Sequence, residues 1–84
     1  MKNLIKAYET ARDLANKADA AWEKDPENTE LEKAFDEAYS KEFETLENLV
    51  KAIVRITNNE IDEKTARLMI ATKFETLKQL LENA

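Results

Sequence analysis

Only two places along these 84 residues interrupt a helical spacing of apolar side chains, and they cut the chain into three helix-length pieces. The first is Lys24-Asp25-Pro26-Glu27-Asn28-Thr29. A proline drives the residue before it out of the α region, so the first helix should stop by Lys24. The next helix can restart with Asp25 as its N-cap and Pro26 in its first turn. It can also restart with Thr29 as the cap and Glu32 reaching back to it. The second interruption is Thr57-Asn58-Asn59-Glu60-Ile61-Asp62. The chain has no glycine, and asparagine is the next best residue for the left-handed backbone that ends a helix. Asp62 then caps a third helix, with Ile61 placed to staple onto Ala66.

The apolar positions agree with that division. Leu4, Tyr8, Ala11, Ala15, Ala18 and Trp22 alternate spacings of four and three, and the alanines at the centre allow a neighbouring backbone to come close. Leu31, Phe35, Ala38, Tyr39, Leu46, Leu49, Val50 and Ile53 share a face of the second helix, and Ala66, Ile70, Phe74, Leu77 and Leu81 share one of the third. The expectation is an all-α chain, one domain over residues 1–84. Its fold should be a three-helix bundle running up-down-up: a long helical hairpin with a third helix packed on it, with helices at about 2–24, 27–56 and 62–82. The second helix, roughly 42 Å long at 1.5 Å per residue, overhangs the other two by about 9 Å. Its run from Leu49 to Ile56 is apolar over an arc wide enough for two neighbours.

The stretch Trp22-Glu23-Lys24-Asp25-Pro26-Glu27-Asn28 resembles the join between tetratricopeptide repeats, where a helix ends in Asp-Pro and Asn begins the next. The likeness covers those seven residues. The 34-residue period of that family is absent, so what the likeness implies is the chemistry of one turn.

Composition removes most enzymatic chemistry. With no cysteine there is no disulfide, thiolate metal site or cysteine nucleophile, and with no histidine the commonest general base and metal ligand are missing. Phosphate-cradling loops need glycine. The threonine and serine hydroxyls have no base to activate them. No metal, no cofactor and no catalytic residue is expected. No apolar run approaches 18 residues, and Lys6 and Glu9 interrupt any signal-like start, so a cytoplasmic protein is expected. A net charge of −5 disfavours direct contact with nucleic acid or with an anionic membrane.

The charge is not spread evenly. Residues 25–47 hold nine acids against two lysines, whereas the flanking segments are nearly balanced. Part of this is the wet side of a helix and part suits a helix N-terminus. The functional alternative is a surface for a protein partner, with Glu30, Asp36, Glu37, Phe43, Glu44 and Glu47 as contacts and a basic, nucleic-acid-binding protein as the natural complement. Small acidic inhibitors of host defence from phages and mobile elements are analogous in size and charge. A sharper version is a nucleic-acid mimic blocking a basic groove, since nine acids over about 33 Å approach the 3.4 Å charge spacing of a DNA strand. Glu42 falls on the apolar face, within reach of Arg12 or Lys73. Ile5 and Leu68 fall off the apolar faces of their helices, which makes them candidates for self-association into a homodimer. The lack of Gly, Cys and His also fits a designed bundle, but these irregular positions break the patterning such designs follow.

Overall fold

A computed structural model describes residues 2–82 of the chain. All its regular structure is helical, in four helices: α1 (Lys2–Lys24), α2 (Thr29–Ile56), α3 (Glu63–Thr72) and α4 (Phe74–Glu82). α1 and α2 form an antiparallel hairpin, since Trp22 meets Phe35 at one end and Ile5 joins Leu49 and Ile53 in the core at the other.

The turn between them uses neither expected cap. Asn28 is the N-cap of α2, and its side-chain oxygen accepts hydrogen bonds from the Glu30 and Leu31 amides at 3.0 and 3.3 Å. Asn28 also donates from Nδ2 to Asp25, at 3.3 Å, so Asp25 serves the turn by orienting the cap. Pro26 therefore stands in the turn and not in the helix. Asn28 is where the likeness to the tetratricopeptide join put the helix start.

The second turn closes as the asparagines imply. Asn58 and Asn59 both have positive φ, 53° and 68°. The Asn59 amide donates to the Val54 carbonyl at 2.9 Å and the Asn58 amide to that of Arg55 at 3.2 Å, the paired bonds of a Schellman ending. Asp62 accepts from the Thr65 amide at 2.7 Å and so caps α3. Ile61, just ahead of it, packs on the core.

The third helical segment is not the single helix expected over 62–82. It breaks at Lys73, whose backbone stands at φ −136°, ψ 42°. The Thr72 hydroxyl donates to the Leu68 carbonyl at 2.7 Å, a back-bond that competes with regular helix at that level. Across the break the apolar spacing holds, so Ile70, Phe74 and Leu77 are all buried. The two halves rest on different supports. α3 lies along α2, where Arg67 grips both oxygens of Glu47. α4 lies against α1, where Lys78 reaches Glu9 at 3.3 Å and the Phe74 ring sits 5.5 Å from that of Tyr8.

Ile5 corrects a second expectation. It is 2% exposed and belongs to the core. A residue next to Leu4 points about 100° away from it, and both belong to or pack on the same core. α1 has two neighbours, so its buried arc is wider than one stripe.

Two outcomes follow. Asn58→Ala should lower stability by about 1 kcal/mol in urea denaturation, whereas Asn58→Gly should hold or raise it, because only glycine takes positive φ without strain. The second concerns acid. The Thr65 amide holds the Asp62 carboxyl below the ordinary carboxylate range, and the Arg67 guanidinium does the same for Glu47. Depressed acids contribute stability that is present above their unfolded values, about 4, and lost as pH falls through the lowered ones. The melting temperature should be level from about pH 7 to 5 and fall below about pH 4. Asp62→Asn, which keeps a capping oxygen but cannot titrate, should make that fall shallower.

Candidate functional site

α3 and α4 cover one end of the hairpin, and the uncovered end is where the molecule presents unusual surface. α3 starts where Val54 and Glu63 line a common hollow, and reaches Glu47 through Arg67. It is thus antiparallel to α2 and heads for the N-terminal half of that helix. The break at Lys73 ends its course, and α4 crosses to α1. Beyond that point α2 has α1 on one side only.

The stripe of α2 left bare carries aromatic rings. Tyr39 is 58% exposed and Phe43 is 56% exposed. They are four residues apart and so share a face. Tyr39 stacks on Phe35 at 6.0 Å, and Phe35 on Trp22 at 5.8 Å, which makes a ladder of rings from the end of α1 along α2. The Trp22 indole nitrogen is buried and has no hydrogen-bond partner among the described residues. A small cavity of about 70 Å³ lies among Tyr39, Glu42, Phe43 and Leu46.

The acidic residues divide into two groups. Glu30, Glu37 and Glu44 lie in one exposed stripe. Asp36, Phe43 and Glu47 lie about 100° round the helix from it, on the side of the rings. Glu47 is already occupied, since Arg67 takes both its oxygens and the pair ties α3 to α2. Asp36 is exposed and has no cationic partner among the described residues. Glu44 stands 3.9 Å from Lys41, both well exposed. The six residues singled out in the sequence therefore do not form one surface, and Tyr39, the most exposed ring, was read as part of the apolar face.

Glu42 is half-buried and pairs with neither Arg12 nor Lys73. Arg12 lies instead over the Tyr8 and Phe74 rings, 5.7 and 5.1 Å from their centres, a cation–π arrangement that covers the junction of α1 and α4. Burial pushes the Tyr8 phenol above its ordinary value, and the Glu42 carboxylate adds to the shift. Leu68 is 61% exposed, on the far side of α3. A shallow groove between α1 and α2, lined by Ala7, Thr10, Leu14, Lys41, Glu44 and Asn48 among others, encloses about 450 Å³. Among the described residues no cluster of acids is placed to hold a metal ion, and no helix is long and apolar enough to cross a membrane.

The chain matches no protein-family model, no curated protein and no solved structure.

If the rings are surface and not core, removing them costs little. Tyr39→Ser and Phe43→Ser should each shift stability by about 1 kcal/mol or less in chemical denaturation, whereas Ile53→Ala, at a fully buried position, should cost about 2–5 kcal/mol.

Proposed function

We propose that the chain is a non-catalytic interaction module that binds a protein partner through the N-terminal half of α2. The observation that carries this reading is the pair Tyr39 and Phe43, two rings more than half exposed on one stripe. Aromatic side chains standing out of a charged surface are the commonest anchors of protein interfaces, because they bring large apolar area at small cost in side-chain freedom. A folded chain gains nothing for its own stability by leaving them in water. The net −7 of residues 25–47 surrounds the rings, and such a field steers a basic partner and repels an acidic one. Mechanistically the module acts by occupancy: a helix face fills a complementary site.

The mimicry of nucleic acid is a second reading, and it rests on different residues. Glu30, Glu37 and Glu44 recur every seven residues on an exposed stripe away from the rings. It predicts binding that depends on charge and not on Tyr39 or Phe43.

The experiment is affinity capture from source-cell lysate at low and high salt with three baits. A partner held by the native chain, lost with Tyr39→Ser/Phe43→Ser and kept with Glu30→Lys/Glu37→Lys/Glu44→Lys, is the expected result. Loss with the charge-reversed bait alone, together with steep weakening in salt, would transfer the function to the acidic stripe. Identical capture by all three baits would remove both readings.

A further inference from the structure

The bare stripe of α2 repeats the stripe on which α3 sits. Glu47, Val50 and Val54 form the seat of α3. Val50 is fully buried in the core with Ala66 and Ile70, Val54 lines the hollow at the start of α3, and Glu47 takes Arg67. Eleven residues earlier stand Asp36, Tyr39 and Phe43. Eleven residues are close to three whole turns, so the second trio lies on the same side of the helix, displaced about 16 Å along it and about 20° around it. In each trio an acid precedes an apolar residue by three positions, and a second apolar residue follows four positions later.

The two trios differ in what covers them. On the first, Val50 has no exposed surface and Glu47 is bound at both oxygens. On the second, Tyr39 and Phe43 are more than half exposed and Asp36 has no cationic partner among the described residues. The direction of α3 runs from the first trio toward the second, and the break at Lys73 stops it short. The lane is thus continuous with a helix–helix interface already present in the fold, and among the described residues no helix lies along it from Phe43 onward.

We infer that the occupant of this lane is a basic amphipathic helix of a partner protein, lying in line with α3 and placing an Arg or Lys on Asp36 as Arg67 is placed on Glu47. Its apolar face covers Tyr39 and Phe43. Charge decides its sign. Asp36 and Glu32 flank the rings on one side and Glu42 on the other, so an acidic helix meets three carboxylates where a basic one meets three acceptors. This inference rests on the interaction reading above and names its partner.

The test uses the whole chain and synthetic helical probes. One probe is an amphipathic peptide of about four turns, built on Ala and Leu, with an Arg one place after an apolar contact, as Arg67 follows Ala66. A second probe has every Arg replaced by Glu. Binding is read by anisotropy of a labelled probe. The basic probe should bind saturably, and the acidic one at least about tenfold more weakly. Asp36→Arg should weaken the basic probe about tenfold and strengthen the acidic one, while Glu37→Arg, about 100° round α2 from Asp36, should change either by less than about threefold. Tyr39→Ser/Phe43→Ser should abolish binding.

Equal binding of both probes overturns the inference. So does equal damage from Glu37→Arg and Asp36→Arg, which would mean diffuse charge and no seat. Sedimentation that finds a dimer dissolved by Phe43→Ser overturns it in favour of a second copy of the chain. If the probes fail while lysate capture still depends on Tyr39 and Phe43, the interaction surface stands and the basic helix falls.

Discussion

Leu49, Val50 and Ile53 leave no surface to solvent, and they can do so only because α2 is approached from two directions at their level. α1 comes from one side and α3 from another. One helix covers about a third of another, so a helix buried this completely needs both. The remaining contacts follow from that requirement. α3 must lie on α2, which Arg67 and Glu47 secure. α4 must close over the start of α1, where Tyr8 and Phe74 meet under the guanidinium of Arg12 and Ile5 joins the same core. In a chain of 84 residues with one modest core, the apolar material is spent at this end of the hairpin.

The break at Lys73 is how one short segment serves two supports. α3 lies on α2 and α4 on α1, so Ile5 and Tyr8 are buried while Tyr39 and Phe43 stay outside. The kink exchanges one exposed surface for another. The choice favours burying branched aliphatic residues and the Tyr8–Phe74 pair, and it leaves outside the side chains that tolerate water best among large apolar ones. Tyrosine keeps its hydroxyl hydrated there, and a ring beside carboxylates keeps its edge in a favourable field.

Much of this was legible in the sequence, and the omissions have physical causes. The two turns were plain because proline and asparagine constrain the backbone locally, so Lys24, Asn58 and Asp62 could be placed without knowing what packs where. Asn28 was passed over as a cap because Asp25 and Thr29 carry the same capping chemistry nearby, and which of them bonds depends on backbone angles. Lys73 left no trace, since neither glycine nor proline marks it and the spacing from Ala66 to Leu81 runs through it undisturbed. Ile5 was misplaced because a stripe of period 3.6 describes one neighbour, and α1 has two. The acids were visible as a run, but the capture of Glu47 by Arg67 was not, because that pair forms only once α3 packs on α2. Tyr39 was assigned inward for the same reason: periodicity names the face, and only tertiary packing says how far along its length that face is covered.

A hairpin covered at one end and bare at the other is not uniformly firm. Backbone amides in α2 near Leu49 lie under two helices, α1 and α3, whereas those near Phe35 have one neighbouring helix and the ring ladder to hold them. Such regions open separately, with amide hydrogens exchanging from the thin end first. Whatever lies along that end therefore does more than add contacts. It extends the cooperative unit by three turns, so its arrival would be felt as slowed exchange reaching back across the Trp22–Phe35 stack to the Asp25–Asn28 turn.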